Sequence, residues 1–185
     1  VITIPKTEET IRLERQIYSA TQKMGVFGCF EVTIGWYGKE RVDYITYDTK
    51  NIWRCYEIKV SVSDFRSKAH NTFCGHYNYY VMTRDLFEKV KDEIPSHIGV
   101  YVDGTSVKRA KKQELTVDIE ILKNSLIRSL SRETEKIHKS ENPNFVDMMN
   151  RRLNKETREK EKYRNQYWDL LTEVHEKYGA NWKSG

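Results

Sequence analysis

The stretch from Phe30 to Ser61 constrains the fold most. Phe30, Val32 and Ile34 alternate with Glu31 and Thr33, the period of a half-buried strand. "GWYGKE" follows with two glycines and reads as a hairpin turn. "RVDYITYD" predicts a second strand, "DTKN" a turn, and "IWRCYEIKVS" a third strand. Successive strands joined by such short turns form an antiparallel meander. Along the third strand, alternate side chains share a face. Glu57 and Lys59 therefore point the same way as Cys55 and Ser61, and Tyr56, Ile58 and Val60 point the other way.

The flanks extend this pattern. "TEETIRLERQIYSATQKMG" predicts a first helix, with Thr7 and Thr10 available for capping, Glu8 and Glu9 in the first turn, and Gly25 as the stop. Its apolar stripe is only rough: Ile11, Ile17, Tyr18 and Met24. After the meander, "VSDFRSKAHN" suits a short helix or turn. "HYNYYVMT" reads as a fourth strand, "RDLFEKVKDEIP" as a helix ended by Pro95, and "HIGVYVDG" as a fifth strand. Strands that alternate with helices after a meander predict an α/β fold, with a mixed β-sheet flanked by helices.

At residue 105 the character changes, which suggests a core over residues 1–104 and a basic α-helical extension over 105–185. The core holds 14 Lys and Arg against 14 Asp and Glu, and the remainder holds 18 against 13, so the whole net charge of +5 lies in the extension. "TSVKRAKKQEL" reads as a basic connector. A helix follows, with Ile119, Leu122, Leu126 and Leu130 near one face. "NPN" breaks it, with Asn142 or Asn144 able to cap a second long helix that ends at Gly179. A basic appendage on a neutral body fits either a polyanionic partner or a solvated helical face. Lys108, Arg109, Lys111 and Lys112 in the first run, and Arg151 and Arg152 in the second, are the candidate phosphate contacts. Tyr163, Tyr167 and Trp168 could stack on bases, but their spacing better suits a helix packing face. The long helices leave a homodimer open.

No stretch reaches the roughly 18 apolar residues of a membrane span, and the first residues carry no basic-then-apolar signal pattern. Three cysteines, Cys29, Cys55 and Cys74, with no C-x-x-C, suit buried thiols in a reducing cytoplasm better than a disulfide framework.

Asp43 lies on the strand before Glu57 and Lys59, so the hairpin permits all three to converge. Two carboxylates with a lysine suit one chemistry well. Mg²⁺, or Mn²⁺ in its place, takes one or two carboxylates together with phosphate and water. Such a metal polarises a phosphodiester and acidifies a bound water, and the lysine can orient that water and stabilise the developing charge. An ordinary salt bridge on a solvent-facing sheet is the competing interpretation of the same spacing.

The residues "VDYITYD…WRCYEIKVSVSDF" resemble the core of the PD-(D/E)XK nuclease superfamily. That superfamily places an Asp on one strand and an acid-x-Lys on the next, and Asp43, Glu57 and Lys59 take those places. The stretch is also similar to a small bacterial DNA-repair-associated branch. Its pattern is matched by Glu31, by Arg41-Val42-Asp43, and by the run from Glu57 to Phe65. The resemblance covers roughly residues 8–102. It implies a restriction-endonuclease-like sheet and a Mg²⁺-dependent endonuclease that cuts DNA to leave a 5′-phosphate. It also implies metal ligation by Asp43, Glu57 and the Ile58 carbonyl, with Lys59 positioning the attacking water. Glu31 would complete the metal shell or pair with Lys59 or Arg41. One departure stands out. The branch carries a Trp and a basic residue ahead of its Tyr segment, where this chain has "SKAHNTFCGHY", leaving His76, Asn78 or Lys68 as helper. A non-catalytic binding module on the same fold is the alternative.

Other residues carry weaker signals. Glu14 sits on the first helix, where a solvated residue is the simpler expectation. Ser61 and Asp64 fit the resemblance but also make sense as helix caps. His70, Cys74 and His76 have a tempting spacing for zinc, with no fourth ligand to close a structural site.

Overall fold

The computed structural model describes residues 6–38, 40–67 and 71–179. The elements run α1 (Glu8–Thr21), β1 (Val26–Thr33), β2 (Arg41–Asp48), β3 (Trp53–Ile58), α2 (Val62–Phe65), β4 (Tyr77–Met82), α3 (Arg84–Val90), β5 (Gly99–Val102), β6 (Thr105–Lys108), α4 (Ile119–Ser140) and α5 (Pro143–Tyr178). The six strands form one sheet in sequence order. β1, β2 and β3 pair antiparallel, β3, β4 and β5 pair parallel, and β6 returns antiparallel beside β5. The fold is therefore α/β, a mixed sheet flanked by helices.

α1 covers one face of the sheet. Leu13 and Ile17, one helical turn apart, pack on Tyr44, Tyr56, Ile58 and Val81. The stripe that buries is Leu13, Ile17 and Thr21. Ile11 is more than a third exposed and Met24 fully so, so the rough stripe expected from the sequence is rotated. α3 and the start of α4 cover the opposite face. Leu86 and Val90 pack over Tyr80, Met82 and Val100. Leu122 and Leu126 pack over Val42, Ile45, Trp53 and Cys55. The strand alternation is visible here: Trp53 and Cys55 point to one face, Tyr56 and Ile58 to the other.

Two features depart from the expected boundary at residue 105. Thr105–Lys108 is a strand of the sheet, not a connector. The chain's first compact unit continues to Arg132. The reason is packing. Leu122 and Leu126 fill the core, and Ser125 accepts a 2.9 Å hydrogen bond from the Gly35 N–H in the β1–β2 turn. Arg128 caps the same turn by donating to the carbonyls of Thr33 and Gly35 at 2.8 and 2.7 Å. Leu130, expected on that buried face, is more than a third exposed. The second unit begins at Glu133. It holds α5, where Asn142 accepts from the Phe145 N–H as the N-cap, and Pro143 occupies the first turn. No side chain of α5 is buried. Among the described residues, no helix is long and apolar enough to cross a membrane.

Candidate active site

The residues from which the site is built converge at the end of the β2–β3 hairpin. Tyr44 pairs with Tyr56, and the same register carried one step further sets Asp43 beside Glu57. Asp43 Oδ2 accepts a 2.9 Å hydrogen bond from the Ile58 N–H, which locks the two strands at that point. Glu57 Oε1 accepts from the Thr72 N–H at 3.3 Å. Lys59 leaves the strand end, its backbone N–H held by the Val81 carbonyl at 2.9 Å. Asp43, Glu57, Ile58 and Lys59 line one cavity of about 810 Å³ with Lys6, Thr10, Glu14, Glu31, Arg41 and Asp64.

The electrostatics of this cavity are unusual. Glu57 is 4% exposed. Burial drives its carboxyl up to about 8, and the nearby Asp43 charge pushes the same way while Lys59 pulls back. Burial also raises Asp43, against the hydrogen bond from Ile58 and the charges of Lys59 and Arg41. Lys59 is itself buried, and its ion pair is a loose one to Asp64 at 4.0 Å. Two carboxyls held uncomfortably close, with an amine near but not clamped to either, form a place where a cation would be stabilised. Two carboxylates and a backbone carbonyl are the oxygen donors that Mg²⁺ accepts when water and phosphate complete its shell. Among the described residues, no three Asp, Glu, His or Cys side chains gather closely enough to form a metal shell unaided.

Glu31 lines the cavity, and its carboxylate pairs with basic residues of the same lining. Lys6 lies 2.7 Å from one oxygen and Arg41 3.9 Å from the other. The pairing alternative is thus the one seen, with Lys6 as the main partner. Its backbone is the more informative part. Glu31 has φ 53° in mid-strand, a conformation that costs a non-glycine residue of order 1 kcal/mol or more. The ladder shows why. Phe30 pairs with Tyr44 and Val32 with Val42, yet Phe30 stacks on Tyr44 at 4.3 Å on the α1 face while Val32 and Val42 pack on the α4 face. The strand changes faces at Glu31, directly opposite Asp43, and Arg132 holds the Glu31 carbonyl at 3.2 Å.

Glu14, expected in solvent, faces the cavity instead and binds Lys6 at 2.5 Å. Burial opposes the Lys6 charge, but its bonds to Glu14 and Glu31 prevail and raise its pKa. Thr10 and Glu14 lie one helical turn apart on α1, a signal visible in the sequence. Lys6, Arg128 and Arg132 carried no such signal, because their partners are set by tertiary structure.

The remaining candidates have structural work. Ser61 accepts from the Asp64 N–H at 3.0 Å and Asp64 accepts from the Val60 N–H at 3.1 Å, a reciprocal cap for α2. His76 Nδ1 accepts the Trp53 N–H at 3.0 Å, and Asn78 closes a loop on both backbone groups of Gly75. Neither lines the cavity. Lys68 and His70 lie outside the described residues. Cys74 packs against Cys55, Sγ to Sγ 3.6 Å, and all three cysteines are free and buried, so the zinc spacing is not realised by Cys74 and His76. Lys108 spends its ammonium on the carbonyls of Ile94 and Pro95 at 3.2 and 2.8 Å. Arg109, Lys111 and Lys112 are exposed, and none of the four lines the cavity. Arg151 and Arg152 are exposed on α5, with Arg152 bonded to Glu156 at 3.1 Å. Tyr163, Tyr167 and Trp168, which suited a packing face, are more than half exposed.

No family model matches the chain, and no curated protein does. A solved structure is similar. It is a protein of unknown function from Silicibacter pomeroyi, with a TM-score of 0.60 and 17% identity over 72% of this chain and 94% of that one. At that identity the likeness bears on the fold alone.

Proposed function

We propose that the chain is a Mg²⁺-dependent endonuclease of PD-(D/E)XK type acting on DNA. One observation carries the reading: Asp43, Glu57 and Lys59 line a single cavity at the end of one β-hairpin. Asp43 and Glu57 would hold the divalent cation, with the carbonyl of Ile58, the residue after Glu57, as a third oxygen donor. When bound, the cation polarises the scissile phosphate and acidifies a water. Lys59 orients that water and offsets negative charge on the phosphate as it develops. Asp64, 4.0 Å from Lys59, keeps the amine aimed into the cavity. Arg41, more than half exposed and only loosely paired to Glu31 at 3.9 Å, presents positive charge where the DNA backbone would approach. Arg109, Lys111, Lys112 and Arg151, all exposed, supply salt-dependent phosphate contacts. Three free buried thiols suit a reducing cytoplasm.

A second reading, a non-catalytic DNA- or protein-binding module, is favoured by Glu31. Its carboxylate is committed to Lys6 and Arg41, which leaves two acids for a metal. Plasmid nicking in Mg²⁺ or Mn²⁺ separates the readings. The nuclease loses about 100-fold or more of its rate in Lys59→Ala and Asp43→Ala. Unchanged nicking in either variant refutes these roles. DNA binding that is equal in chelator and in Mn²⁺, with no cleavage, supports the module.

A further inference from the structure

α5 presents an apolar stripe that no described residue of its own chain covers. Val146, Met149 and Leu153 follow one another at three- and four-residue steps, and so do Tyr163, Tyr167 and Leu170. All six are exposed, from 38% at Val146 to 70% at Tyr163. They occupy the inward positions of one unbroken heptad register. Two inward positions between the apolar runs are charged: Glu156 and Lys160. An exposed seam of this length marks an interaction surface, and its charges identify the partner.

We propose that α5 pairs with α5 of a second copy as an antiparallel coiled coil that crosses at Arg158. In that arrangement Glu156 meets Lys160 of the second copy, and Lys160 meets Glu156, so two opposite-charge pairs sit at the centre. The apolar runs then match as well. Leu153 faces Tyr163, Met149 faces Tyr167 and Val146 faces Leu170, each a small or flexible side chain against a larger one or a leucine. The paired stretch is about 37 Å long at the rise of an α-helix. A parallel pair would set Glu156 against Glu156 and Lys160 against Lys160 in the seam. A slip of one heptad would set each charge against an apolar residue. The charged pair therefore fixes both direction and register, the best-attested use of polar residues at inward positions. Within one chain Glu156 is bonded only to Arg152, and Lys160 makes no ion pair among the described residues. Glu159 meets its own copy at the rim, a like-charge contact in solvent that salt screens.

Sedimentation equilibrium of the full chain tests this. The wild type is a dimer whose constant weakens about tenfold or more in Lys160→Glu, which gathers four acids at the centre. Glu156→Lys combined with Lys160→Glu restores the wild-type constant, because the pairs are regenerated in reverse. Orientation is read by oxidation. A chain carrying Leu153→Cys and Tyr163→Cys together becomes a covalent dimer, whereas Leu153→Cys alone does not. A wild type that stays monomeric across a micromolar-to-millimolar series overturns the proposal. So does a double reversal that fails to rescue, or efficient cross-linking by Leu153→Cys alone.

Discussion

Glu57→Gln in the metal-free protein isolates the electrostatics of the cavity. The Glu57 carboxyl titrates at an ordinary 4.5 when unfolded and at about 8 when folded. The folded protein therefore holds a proton that the unfolded chain has released over that interval. The Glu57 contribution to stability is full below pH 4.5 and is lost as pH rises toward 8, by about 5 kcal/mol in all and about 3 kcal/mol at pH 7. The glutamine side chain keeps an oxygen to accept from the Thr72 N–H but never ionises. Urea denaturation in chelator at pH 5 and pH 8 measures both proteins. The two are expected to match within about 1 kcal/mol at pH 5, with the Glu57→Gln variant the more stable by several kcal/mol at pH 8. Mn²⁺ should then raise the midpoint of the wild type alone at pH 8. A variant less stable than the wild type at pH 8, or a difference that ignores pH, refutes the reasoning.

Three further outcomes follow from the packing. Trp53→Ala, at a fully buried site between β3 and α4, should cost about 3–5 kcal/mol in the same denaturation assay. Gly99→Ala would bring a Cβ within 2.4 Å of the Tyr79 ring and 2.6 Å of the Ala110 nitrogen, and should cost about 1–3 kcal/mol by overpacking. Burial and then the Lys112 charge lower the His76 pKa, and its Nδ1 must stay unprotonated to accept the Trp53 N–H. Stability should therefore fall as pH drops below about 6.5, and His76→Asn should remove that dependence in a pH series of melting temperatures.

The meander was legible because short alternating strands and glycine-bearing turns are local signals. So was the common face of Glu57 and Lys59, since alternation fixes it regardless of register. The partner strand's contribution needed the pairing itself: Asp43 reaches Ile58 only in the register the structure adopts. Glu31's backbone was hidden for the opposite reason. Alternation assumes an extended backbone, and a left-handed residue breaks it without changing the composition of the strand. β6 was hidden by its lysine and its solvent-facing edge position, which leave little apolar pattern to read. Leu122 and Leu126 showed helical spacing, but spacing does not reveal that their target is the same β2–β3 hairpin that carries the acids.

That last contact sets where the chain can be trimmed. A cut after Gly104 would strip the outermost strand from the sheet and leave Trp53 and Cys55 facing water. It would also free the β1–β2 turn that Ser125 and Arg128 now hold, and release the Glu31 carbonyl from Arg132. The shortest fragment that should express as a folded body therefore ends no earlier than Arg132.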